Sequence, residues 1–234
     1  MSHNDASGLE PPEALRTSPV SETPAERPSF YDCLRRASTD IVALLVSRYA
    51  DDQGRVHAET VIATLAALAG EFALRTTGFP LPKNGTFIAG GVQDAILFAD
   101  PTQPTAWSMI VKAAAVAGLP DADVPDLTQV LRRTIDGIGH TPFPPLSIPS
   151  EHFPREWPPY ACQRFRDDVR AIGESNSLTM SELVVVLGWA IGDLIIRTRT
   201  SLPPAISIRL AAEIMIGVSR MAPLTGPRLA SVQS

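Results

Sequence analysis

Four side chains able to relay a proton or ligate a metal stand where regular helix is hardest to extend: Asp94, His140, Glu151 and His152. Imidazole nitrogens and carboxylate oxygens near neutral pH are the usual groups for general acid and base work, and three of them around one point can hold a divalent ion. His140, Glu151 and His152 share a proline-rich stretch, but their spacing matches no established ligand pattern. Cys33 and Cys162 contribute no CxxC pair, so neither a metal nor a cofactor is expected. The four residues stand as candidates for a ligand site, or for an enzyme site of unfamiliar type between residues 86–99 and the proline-rich crossover.

A second set lies along one helical face. His57, Thr60, Thr64, Glu71 and Arg75 recur on one side of an apolar segment, which joins an imidazole, two hydroxyls and a carboxylate. The ordinary meaning of such a row is a solvated helix surface, and that is the expectation here. His57 and Glu59 are two residues apart, which on a helix points them in nearly opposite directions, so no HExxH-like pair arises. A third stripe, Glu182, Trp189, Asp193 and Arg197, lies on the most apolar segment of the chain. Glu182 and Asp193 are separated along the axis by about 16 Å at ~1.5 Å per residue, too far to share a proton or a metal, and Asp193 is expected to pair with Arg197 instead. Arg209, Glu213 and Arg220 near the C-terminus are expected to be a similar edge. There is no GxSxG, no Walker A loop and no GxGxxG after a strand.

The elements that must position these groups are mainly helical. Apolar residues at helical spacing predict helices from Ser29 to about Ala50, Val56 to Thr76, Thr105 to Ala117, Asp126 to Ile138, Tyr160 to Ile172, Thr179 to Arg199, and from Pro203-Pro204 to Met221. On the second of these, Val61, Leu65, Leu68 and Phe72 form a large apolar face, while Ala63, Ala66, Gly70 and Ala73 form a small one that lets helix axes approach closely. Thr179 and Glu182 make a capping box. Two β-branched and aromatic runs about Gly90-Gly91 predict a small β-hairpin near residues 86–99. His140 to Pro159 carries too many prolines for helix or central strand and reads as an extended crossover, and its Pro142-Phe143-Pro144-Pro145 contains an accidental PxxP. The fold class is therefore mainly α, a helical bundle of about six or seven helices with one hairpin. Residues 1–28 and 223–234, rich in Pro, Ser and charge, are expected to be disordered tails on a single domain at 29–222.

Leu183 to Ile196, LVVVLGWAIGDLII, is apolar on nearly every side and reads as a central buried helix. It is interrupted by Asp193 and falls short of the ~20 residues a membrane span needs. Its Leu183, Leu187, Gly188 and Leu194 cadence loosely resembles a helix-turn-helix, which implies a DNA-reading regulator. Yet Trp189, Ala190, Ile191 and Asp193 occupy the would-be recognition helix, and the net charge of −5 leaves no basic excess for phosphates, so nucleic acid is not an expected partner. The apolar excess needs cover, which suggests a homodimer. With two distant cysteines, no apolar leader at the N-terminus and an arginine- and alanine-rich composition, a bacterial-type cytoplasmic setting is expected. The leading functional expectation is a homodimeric helical module that binds a partner protein or a small apolar ligand. An enzyme, or a degenerate helix-turn-helix regulator, is the alternative.

Overall fold

The computed structural model describes residues 29–78, 80–81, 91–98 and 104–225. Eight α-helices are found among them: α1 Phe30–Tyr49, α2 Ala58–Thr76, α3 Val92–Phe98, α4 Ala106–Val116, α5 Leu127–Asp136, α6 Pro158–Ser175, α7 Met180–Thr198 and α8 Pro204–Val218. Single 3-10 turns at Asp121–Asp123 and Ser150–His152 sit in the connections. The starts follow local chemistry. Ser29 caps α1, Thr105 and Ser108 form a reciprocal capping box on α4, Asp126 caps α5, and Thr179 and Glu182 cap α7 as expected.

α2 and α7 share the centre. Every residue of α2 from Thr60 to Leu74 is buried, and α7, α8 and α6 pack around it. α7 lies between α2 and α4 with α1 alongside, and Leu187 and Ile191 are wholly enclosed. Small residues make these approaches possible. A Cβ at Gly188 would lie 2.5 Å from the Ala106 backbone on α4, and one at Gly70 would overlap the Met215 carbonyl on α8. The expected small face of α2 is thus an actual helix seam. Neighbouring helices of the same chain cover α7, so the uncovered apolar surface that suggested a homodimer is largely taken up internally.

Two expectations are corrected. No strand pairing forms in the second half of the proposed hairpin: Val92–Phe98 is helix α3, whose Gln93 and Leu97, one turn apart, are both buried. Residues 82–90, its first half, lie outside the described residues, as do 1–28 and 226–234. The helix-turn-helix cadence contains no turn, because α7 runs unbroken through Gly188. At the C-terminal end of the described residues Pro223 is buried, and the Leu224 carbonyl accepts a hydrogen bond from Arg166 Nη2 at 3.2 Å. Among the described residues no single helix is long and apolar enough to cross a membrane; α6 and α7 reach that threshold only as a pair bent by 108°.

Candidate functional site

The polar face of α2 is buried rather than solvated, with Thr60, Thr64 and Glu71 all at 3% exposure or less. Water is excluded because the large and small apolar faces of α2 are both occupied by neighbours, leaving this side against α6 and the proline-rich crossover. Each polar group then needs a partner, since an unpaired buried one costs ~1–3 kcal/mol. Three clusters supply them.

At the helix entry, the Glu59 carboxylate meets two imidazoles: His152 Nδ1 at 2.9 Å and His57 Nε2 at 3.3 Å. His57 and Glu59 therefore do cooperate, contrary to the helical-wheel expectation. His57 is the N-cap, at φ −81 and ψ 103, so its side chain departs from an extended backbone rather than from a helix. Its Nδ1 lies 2.8 Å from Thr60 Oγ1, and that oxygen accepts the Arg155 amide at 3.0 Å. Burial pushes the His57 imidazole below its ordinary pKa, and the neighbouring Arg155 and His152 act in the same direction against the pull of Glu59.

One turn on, Tyr49 Oη is 2.8 Å from Thr64 Oγ1 and donates to Glu156 at 2.8 Å. Arg164 bonds the same Glu156 oxygen at 2.6 Å, with its guanidinium over the rings of Tyr49 and Phe165. Desolvation raises the Tyr49 phenol to about 12, with the Glu156 carboxylate adding to the shift.

Deeper still, Glu71 accepts from Arg75 at 2.7 Å, from both Nε and Nη2 of Arg166, and from the Cys162 thiol at 2.9 Å. Burial, reinforced by Glu71, raises the Cys162 pKa, so this thiol stays protonated and serves as a hydrogen-bond donor, not a nucleophile. Arg166 gains enough from Glu71 to outweigh its own burial and remains a fixed cation.

These clusters pin α6 and residues 152–156 to α2, and a fourth pins the other end of the crossover. Glu213 on α8 is buried; it accepts from Arg133 at 2.6 Å, from the Ser147 amide at 2.9 Å and from the Ser147 hydroxyl. Gly217 and Gly137 leave room for Pro144 and Pro145, where an added Cβ would overlap the proline rings. Trp157 Nε1 donates to the Phe143 carbonyl at 2.6 Å and closes the segment on itself.

Folded this way, the crossover encloses a cleft of about 490 Å³. Its apolar walls are Pro142, Phe143, Pro144, Leu146, Phe153 and Trp157; the polar groups at it are His140, Thr141 and Glu156. Prolines at fixed φ on both sides keep the shape formed without a ligand.

The four candidate residues occupy separate places. His140 is exposed at the cleft, while Glu151 is exposed on the 3-10 turn. His152 is turned to Glu59. Asp94 forms a two-oxygen salt bridge with buried Arg220, at 2.6 and 2.7 Å, beside a different and smaller hollow lined by Phe98, Leu127 and Ile216. Arg220, expected on an exposed or helix-facing edge, is buried with this partner. Asp193 and Arg197 face each other at 3.9 Å, as an exposed i,i+4 pair should. Among the described residues no three His, Cys, Asp or Glu side chains are placed to hold a metal ion. Comparisons with protein-family models, curated proteins and solved structures find no match for this chain.

Proposed function

We propose that this protein is a binding module for a small, largely apolar ligand, held in the cleft of the proline-rich crossover. The observation that carries the reading is the cleft itself: about 490 Å³, walled by prolines and aromatics, with a few polar groups among its lining residues. That volume falls in the usual ~300–1,000 Å³ class of small-molecule sites, which are mostly apolar with a few polar groups that fix orientation. The titratable groups nearby serve the architecture. Glu156 is tied to Tyr49 and Arg164, and His152 to Glu59, so binding is favoured over catalysis.

An aromatic ring with one hydrogen-bonding substituent suits this lining, the ring stacking on Trp157 or Phe143 and the substituent reaching His140 or Thr141. Fluorescence titration with an anilinonaphthalene sulfonate dye tests the reading. One saturable site is expected, weakened about tenfold by Phe153→Ala, which removes an apolar wall that is already 37% exposed and so leaves the core intact. Dye affinity unchanged by that substitution refutes the cleft as the site.

A further inference from the structure

We propose that Glu59 and the two imidazoles that share it, His57 and His152, form a proton-operated latch that frees the Ser150–Arg155 part of the cleft wall in acid. The inference rests on the cleft reading for its consequence, not for its mechanism. The latch spans two elements far apart in sequence. His57, Glu59 and Thr60 belong to the start of α2; His152 and Arg155 belong to the crossover, immediately beside the cleft residues Phe153, Pro154, Glu156 and Trp157.

Near neutral pH the hydrogen bonds fit one arrangement of protons. The Glu59 carboxylate is hydrogen-bonded to His152 Nδ1 at 2.9 Å and lies 3.3 Å from His57 Nε2 in an ion-pair contact. His57 Nδ1, left without a proton, accepts from the Thr60 hydroxyl, and the Thr60 oxygen in turn accepts the Arg155 amide. Side-chain exposures of 18% for His57, 12% for Glu59 and 23% for His152 leave little water to substitute for any of these bonds.

One imidazolium beside Glu59 is balanced by its carboxylate. A second is not. The charged groups around the latch are Glu59, His152 and Arg155, with Asp51 acting on Arg155 from the loop before α2. One carboxylate cannot neutralise two imidazolium ions beside a guanidinium. A protonated His57 must also donate through Nδ1 to the Thr60 oxygen that already accepts the Arg155 amide, and the Thr60 hydroxyl proton then loses its acceptor.

Burial holds the His57 imidazole below its ordinary value. Below about pH 6.5 the released form, with His57 in water, therefore takes up a proton that the latched form refuses, and acid drives the equilibrium towards release. The crossover stays attached through Ser147 and Glu213 on one side and through the Glu156 bonds to Tyr49 and Arg164 and the Trp157–Phe143 bond on the other, so release loosens residues 150–155 and does not unfold the domain.

Amide hydrogen exchange on the full chain tests this at about pH 7.5 and 5.5, with rates corrected for intrinsic pH dependence. The amides of Phe153 and Arg155 are expected to lose protection about tenfold in acid while those of α7 keep theirs. His57→Gln should abolish that pH dependence. Thr60→Val, which removes the acceptor of the Arg155 amide, should leave the segment unprotected at both pH values. Equal protection at the two pH values in the unaltered protein, or an undiminished acid response in His57→Gln, overturns the latch. The exchange measurement needs no ligand: a dye that fails to bind at either pH removes the cleft reading alone, whereas unchanged exchange removes the latch alone.

Discussion

Replacing Glu71 with Gln keeps the shape of the side chain and deletes its charge, at a position where helical periodicity alone anticipates a solvated residue. In the fold, this carboxylate is 2% exposed and receives Arg75, Arg166 and Cys162. Removing one member of a buried ion pair costs ~3–5 kcal/mol, mostly from the charge left behind. Arg75 has a side-chain exposure of 30% and can turn towards water, but Arg166, at 15%, cannot do so freely. The loss should therefore lie near the lower end, about 3 kcal/mol. In a chain of this size that corresponds to a melting temperature lower by ~6–12 °C. Urea unfolding of Glu71→Gln, Arg166→Met and the double variant measures it. The double variant is expected to be more stable than the sum of the single losses by about 1–3 kcal/mol, because the second change removes the orphaned cation. A change within ~0.5 kcal/mol for Glu71→Gln, the value of an exposed helical position, would refute the buried network.

Gly70→Ala forces a methyl against the Met215 carbonyl, and the ~1 kcal/mol gained in helix propensity is outweighed by an overpacking cost of ~1–3 kcal/mol, giving net destabilisation in a denaturant melt. Ser177 holds φ 57 at the end of α6, where the Leu178 amide returns to the Gly173 carbonyl, so Ser177→Gly should raise stability by about 1 kcal/mol; a loss would contradict the left-handed cap. The Tyr49 phenol, lifted by burial from its usual 10 to about 12, keeps its proton in the folded state after the unfolded chain has lost its own. Stability should therefore fall as pH rises from 10 towards 12, and Tyr49→Phe should flatten that limb in unfolding titrations. Glu213→Gln weakens the anchor of Ser147 and Arg133 and is expected to lower dye affinity at the cleft as well as stability, because Leu146 lies next to the lost bond.

Helix starts were the most legible feature, since a cap is local chemistry. Thr179 with Glu182 and the prolines before α8 needed no tertiary context. The hairpin expectation failed because β-branched and aromatic residues after Gly90-Gly91 satisfy strand propensity, while burial of Gln93 and Leu97 one turn apart is decided by what α3 packs against. The polar face of α2 carried a readable clue that helical averages obscure. Val61, Leu65, Leu68 and Phe72 on one side and Ala63, Ala66, Gly70 and Ala73 on another leave little circumference for water, so Thr60, Thr64 and Glu71 had to be buried with partners. Which partners could not be read, because Arg155, Glu156, Cys162 and Arg166 lie about a hundred residues further along the chain and meet α2 only after the crossover folds back. His57 was misjudged for a related reason: a wheel assigns directions only to residues whose backbone is helical, and a cap is not. The cleft had one legible sign, the density of prolines beside Phe143, Phe153 and Trp157, but not its closure by the Trp157 indole on the Phe143 carbonyl.

That indole offers the most direct test of the ligand-binding claim. The chain has three tryptophans, at 107, 157 and 189, of which only Trp157 is among the residues lining the cleft. In a nitrogen-proton NMR titration with an apolar aromatic ligand, the Trp157 side-chain resonance is predicted to move and saturate while those of Trp107 and Trp189 stay in place. Movement of either of the other two with Trp157 unmoved would contradict a binding site in the proline-rich cleft.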